Sequence, residues 1–352
     1  MAKKPISADS HVTEPPNCYI DYIDPKFRDT APRIVKHERL GEIYKIHGLD
    51  TPIPLSLVAA AGKDPSELGT TGAVFDELHR GGWDPKAREA DQDRDGVAAE
   101  IIYPSVGMML CNHPDFIYKR ACFDAYNRWL QEFCAGLPNR LFGMPQITMA
   151  SPEEGIEELR QAKEMGFKGV MLVGQPQLED YHHPIYDPFY EAAVDLNLPL
   201  SFHILTTRKD ALKDYRGPKI NAFLSIIRGN QDIIETFIFG GVFQRHLKLV
   251  CVEADAGWAP HYMYRLDHAY KRHRYWMKCD ELEQLPSVYF KENVYTTFQD
   301  DWSAFALRDH MNIDRLMWAN DFPHSDATWP WSQEMLAEHT AGMTDHECAR
   351  IL

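Results

Sequence analysis

A chain of 352 residues, 44% hydrophobic and 25% charged, has ample apolar material for a large core, which excludes a disordered or fibrous class. Its formal net charge of −15 argues against a nucleic-acid footprint and for a small-molecule substrate. No stretch approaches about 18 consecutive apolar residues, so no membrane span is expected; "MAKKPISADS" lacks the apolar core of a secretory signal, and seven cysteines without a CxxC pair fit a cytoplasmic protein with reduced thiols.

The first predicted strand is "ISADSHV" (6–12). Period two sets Asp9 and His11 on one face, either as a buried hydrogen-bonded pair or as two metal ligands. Residues 13–90 are rich in Pro, Gly and charge and read as a long insertion or cap between the first two strands. Within it, "GEIYKIHGLD" (41–50) alternates like a hairpin strand with His47 exposed. The run "GKDPSELGTTG" (62–72) resembles a phosphate loop but lacks both G-x-x-x-x-G-K-[ST] and a preceding strand. Further strands are predicted at 98–105, 142–148, 169–174, 198–204, 247–254, 293–299 and 315–321. Helix-like segments separate them. Ser151 caps one, with Pro152 at N1, and "HPIYDPFYEAAVDLN" (183–197) is another, ended by Asn197 and Pro199.

Strands alternating with helices predict an α/β class fold, a (β/α)8 TIM-like barrel forming one domain over 1–352. Residues 205–230 form a second, smaller insertion after strand five. In such a barrel, groups at the C-terminal strand ends surround one site. Strand one supplies Asp9 and His11, strand five His203, strand six Glu253 and Asp255 with His261 beyond, and strand eight Asp321 with His324 after it. Each follows an apolar run, where a charge is costly unless paired or bound to metal. Any single member has a structural explanation; the coincidence of all points to a metal site.

The motifs "ADSHVTEPP", "VEADAGWAPHYMYRLDH" and "WANDFPHSDATWP" resemble the amidohydrolase superfamily, and more closely its amidohydrolase-related branch of aminocarboxymuconate- and aromatic-acid-type decarboxylases. The resemblance implies Asp9, His11, His203 and Asp321 as metal ligands, with Asp321 nearest the reacting water or substrate. Two departures stand out. Strand four, "GVMLVG", offers no lysine for a carbamylated bridge, and Glu253 stands where the branch's decarboxylases carry a strand-six His acting on substrate.

A carboxylate bridges two metals where imidazole does so poorly. Asp9, Asp321 and Glu253 with His11, His203 and His261 then supply ligands for two divalent ions, Fe or Mn/Fe before Zn. A few members resembling this branch are dinuclear oxygenases, so the leading expectation is an O2-dependent monooxygenase hydroxylating a small organic acid, amine or aromatic, with Asp321 and Glu253 as catalytic groups. A hydrolase or non-oxidative decarboxylase on a single ion is the second reading. A metal-binding scaffold subunit of a paralogous enzyme is the third. A homo-oligomer, or a hetero-oligomer with a paralogue, is expected on the branch's habit. Arg88 and Arg94 are weighed as a fork for a substrate carboxylate against surface charges, Trp258 as a pocket wall against a packed aromatic, and His268 as a further ligand against a solvated histidine.

Overall fold

The computed structural model describes residues 4–206, 215–245 and 249–352. Each of the eight predicted strands contains an observed one, because runs rich in Val, Ile, Leu and aromatics suit a pleated, covered surface. Two compact units result, one of residues 1–148 with 318–338 and one of residues 149–317 with 339–352.

In the first unit, β1 (Ile6–His11) opens the chain, followed by β2 (Arg33–His37), β3 (Gly41–Lys45), β4 (Ile53–Pro54), β5 (Ala99–Tyr103), β6 (Leu141–Gly143) and β7 (Gln146–Ile147). Strands β1, β5 and β6 pair in parallel in that order, while β2, β3 and β4 form an antiparallel sheet inside the predicted insertion. Pro145 separates β6 from β7, since proline brings no N–H to a ladder. The β1–β5 register shifts between Ser7 and Ser10, so Asp9 sits in a bulge rather than in regular alternation. The helix Pro85–Asp95 begins where Asp84 accepts hydrogen bonds from the Lys86 and Ala87 amides. It ends at Gly96, whose φ of 71° is left-handed. The helix Phe116–Ala135 buries Phe123, Tyr126, Leu130 and Phe133 on one side.

In the second unit, β8 (Val170–Leu172), β9 (Leu200–His203), β10 (Leu249–Val252) and β11 (Val294–Phe298) run parallel in the order β11-β10-β9-β8, and β12 is Leu316–Trp318. The predicted cap is present, with Ser151 Oγ accepting from the Glu154 amide at 3.2 Å. The helix Asp187–Asp195 stops before Asn197, whose φ of 51° is left-handed. Of the insertion expected at 205–230, residues 207–214 lie outside the described set, and Asn221–Ser225 forms a short helix. Residues 247 and 248 of the sixth predicted strand likewise lie outside it. Among the described residues no helix is long and apolar enough to cross a membrane.

Candidate metal centre

In the first unit, the end of β1 is bonded to the segment after β12. The His11 amide donates to the Phe322 carbonyl at 2.7 Å, and the Asp321 amide to the Asp9 carbonyl at 3.0 Å. This brings together side chains that are far apart in sequence. His11 Nε2 lies 3.4 Å from Asp9 Oδ1 and 3.4 Å from Asp321 Oδ1, and all three side chains have 0% exposure. His324 joins them, with Nδ1 3.2 Å from Asp321 Oδ1 and its ring stacked on that of His11 at 3.8 Å. The ligand atoms of His11, Asp321 and His324 all lie within 4.8 Å of one another.

Hydrogen bonding assigns the His11 tautomer. Nδ1 faces the Pro104 carbonyl at 2.9 Å, and a carbonyl only accepts, so Nδ1 carries the proton. In a neutral ring Nε2 would then turn a lone pair toward two carboxylates. Lone pair against carboxylate in a buried site is repulsive, and a cation between them removes the repulsion. The second unit repeats the arrangement by itself. His203 Nδ1 faces the Ile204 carbonyl at 3.1 Å, leaving Nε2 toward Glu253 Oε2 at 3.3 Å. Carboxylate oxygen and imidazole nitrogen suit manganese, iron or zinc, so the residues present fit a divalent ion.

Two of these positions carry backbone strain. Asp321 has φ 53° and Glu253 φ 55°, in the left-handed region that costs a non-glycine residue about 1–3 kcal/mol. Hydrogen bonds hold both segments. Asn320 Oδ1 accepts from Ser7 Oγ at 3.0 Å and Ser10 Oγ at 2.9 Å, and the Glu253 amide donates to Thr297 Oγ1 at 2.7 Å.

Other expected members sit elsewhere. His261 is exposed on the helix Ala259–His273, its ring 6.2 Å from Tyr264, and among the described residues no three-ligand group includes it. Half-buried His268 lies one further turn-pair along the same helix, its ring 5.9 Å from Tyr264. Arg88 is no substrate fork: it is fully buried, with Nε 2.6 Å from Glu100 Oε2 and Nη1 donating to the His11 carbonyl at 2.8 Å. Its donors are used to hold the strand that carries His11. Arg94 lies over the Trp329 ring at 4.7 Å, and half-buried Trp258 donates from Nε1 to the Ala254 carbonyl at 2.6 Å.

Two residues outside the predicted ligand set belong to the first unit's cluster. His324 was visible beside the strand-eight Asp, but its i+3 offset in a turn carries no ligand signature. Ser105 follows β5 with nothing in sequence to mark it; its Oγ lies 2.7 Å from His324 Nε2. Nearby, Glu14 is buried, accepting at Oε1 from the Ser105 and Gly107 amides at 3.1 Å each. Burial pushes its carboxyl up to about 7.

Residues 77–352 match the model of the Amidohydrolase family. The gamma-resorcylate decarboxylase of Rhizobium sp. is 24% identical over 215 residues, which is 56% of this chain and 64% of that protein. The 2-amino-3-carboxymuconate-6-semialdehyde decarboxylase of Dictyostelium discoideum is 26% identical over 208 residues, 56% of this chain and 55% of that protein. The chain thus spans less than two thirds of the length of these relatives. Among solved structures, an amidohydrolase from Mycobacterium avium subsp. paratuberculosis K-10 superposes with a TM-score of 0.79 at 20% identity, covering 100% of this chain and 96% of that one. A 5-carboxyvanillate decarboxylase from Novosphingobium aromaticivorans, complexed with manganese and a nitrobenzoic acid, gives 0.63 at 22% identity over 75% and 76% of the two chains.

These likenesses establish the α/β barrel fold and correct the leading functional expectation. These relatives and the neighbours named for a decarboxylation carry no oxygenase among them, and manganese is the metal named with three of the decarboxylase structures, so O2-dependent hydroxylation at an iron centre is not supported. A strand-six carboxylate 3.3 Å from His203 Nε2 accompanies a single ion as readily as it bridges two, so Glu253 by itself does not select an oxygenase. With its family model matched from residue 77 to residue 352 and the motifs of the barrel-strand ends in place, the chain belongs to the amidohydrolase family.

Proposed function

We propose that the protein is a metal-dependent, non-oxidative carboxy-lyase acting on a small organic acid. The observation that carries the reading is His11, whose Nε2 faces Asp9 and Asp321 at 3.4 Å each in a fully buried site. One divalent ion, manganese before zinc, is proposed with Asp9, His11 and Asp321 of the first unit as its protein ligands. A second ion beside Glu253 is the finer form of this proposal and is read directly by metal count. The relatives' printed activities favour carboxylic acids carried on an aromatic ring or a conjugated chain.

When bound, the ion acts as a Lewis acid toward the substrate's oxygens. The chain's own groups do the rest. Decarboxylation breaks the bond between carboxylate and carbon, leaves the electron pair on carbon and releases CO2. That carbon must then gain one proton, and no oxidant is consumed. Asp321 is the group assigned to hold and deliver this proton, with His324 3.2 Å from its Oδ1. Its buried position excludes bulk water from the transfer. Hydrolysis on the same ion, with Asp321 as base toward water, is the alternative.

The test is manganese-reconstituted protein incubated with a panel of hydroxybenzoic and unsaturated carboxylic acids, following CO2 release and dissolved oxygen together. CO2 release without oxygen uptake is expected, and D321N should lower kcat by roughly 10²–10⁴-fold, the usual worth of a positioned acid or base. Turnover without CO2 would select hydrolysis, and full activity in D321N would remove Asp321 from proton transfer.

A further inference from the structure

His324 is ordered by a chain of hydrogen bonds whose directions are fixed. Ser105 Oγ lies 2.6 Å from the Val12 carbonyl and 2.7 Å from His324 Nε2. The carbonyl can only accept, so it takes the single hydroxyl proton of Ser105. Ser105 Oγ therefore receives its second hydrogen bond from His324, whose proton is on Nε2. In a neutral ring Nδ1 then keeps its lone pair, 3.2 Å from Asp321 Oδ1. Ser105 is itself held at its amide by Glu14 Oε1 at 3.1 Å, and the His324 ring is held on His11 at an interplanar angle of 21°. A buried imidazole with one nitrogen donated to an oriented acceptor and the other aimed at a carboxylate is the arrangement of a metal-bound histidine with its outer hydrogen-bond partner.

We propose that His324 is a ligand of the divalent ion through Nδ1, and that Ser105 is its positioning residue. The inference rests on the metal-dependent reading above, and it adds a ligand that the family resemblance does not carry. Donor atoms around one ion at bonds of roughly 2.0–2.2 Å lie within about 4.4 Å of one another. The mutual distances of His11, Asp321 and His324, none above 4.8 Å, are close to that limit. The competing arrangement is a proton on Nδ1, making an imidazolium paired with Asp321.

Metal binding separates the two. The proteins compared are wild type, H324F, which keeps a ring on His11 but no nitrogen, and S105A. Each is stripped with chelator, checked for an unchanged melting temperature in the stripped state, and titrated with Mn2+ against a competing chelator. Each is also loaded with Co2+ for its visible absorption. The expected result is a rise of at least tenfold in Kd for H324F with a shifted Co2+ band, and a rise of about tenfold or more for S105A, the usual effect of losing an outer partner. Wild-type binding with unchanged Kd and unchanged Co2+ band in H324F overturns the proposal and leaves the metal-dependent reading standing. No binding by wild type overturns both. Should H324F fail the stripped-state check, S105A decides by the same two readouts.

Discussion

Glu14 shows how much one buried residue controls without touching the ligand cluster directly. Its Oε1 receives two backbone amides and the Tyr19 hydroxyl, while Oε2 is buried with no hydrogen-bond partner among the described residues. Desolvation outweighs those bonds and raises the carboxyl from 4.5 to about 7. The folded protein therefore holds this proton where the unfolded chain has released it. Stability should fall as pH rises from about 4.5 through about 7, by about 3 kcal/mol from this group. E14Q keeps the acceptor oxygen and removes the titration. Urea midpoints of both proteins across pH 5–8 should converge at the acid end and favour E14Q at the alkaline end; parallel curves would refute the shift. "HVTEPP" gave no hint of this, since a Glu between Thr and Pro reads as a loop charge.

At the scale of elements, the helix Pro85–Asp95 acts as a clamp on β1. Arg88 reaches from it to the His11, Gly81 and Phe322 carbonyls, stacks on the Phe322 ring at 4.6 Å and pairs with Glu100 of β5. Glu100 also receives Gln92 of the same helix at 2.6 Å and Ser10 of β1 at 3.3 Å. R88A would leave the Glu100 carboxylate buried without its cation, a loss of about 3–5 kcal/mol. Chemical denaturation measures it, and a cost under about 1 kcal/mol would mean that the pair is idle. In sequence the helix straddles the end of the irregular 13–90 stretch and carries no periodic signal. Its polar composition, "PKAREADQDRD", has no apolar stripe because its inward residues are Arg88, Gln92 and Asp95. The strands were legible for the opposite reason: β8 and β9 are buried throughout, so their positions other than His203 are held by apolar or small residues.

At the scale of the whole molecule, a bound ion is linked to folding. Saturation with Mn2+ at about a hundred times Kd should add about 2.7 kcal/mol of stability, a rise of about 3–4 °C in Tm for a chain of this length. Thermal melts of chelator-stripped and Mn2+-loaded protein check it, and an identical Tm would argue that no ion is bound to the native state. With a formal charge of −15, buried carboxylates such as Asp9 and Asp321 add to a repulsive total, which a divalent cation offsets.

The sequence by itself determined the strand-helix alternation, the caps at Ser151 and Asn197, and the placement of Asp9, His11, His203, Glu253 and Asp321 at strand ends. These follow from local rules of periodicity, capping and the cost of a charge after an apolar run. Tertiary structure alone decided that Arg88 is buried, that His261 faces solvent, and that Ser105 meets His324 across 219 residues of chain. Those facts depend on which backbone carbonyl or carboxylate a side chain finds in space, and local spacing carries no record of that choice.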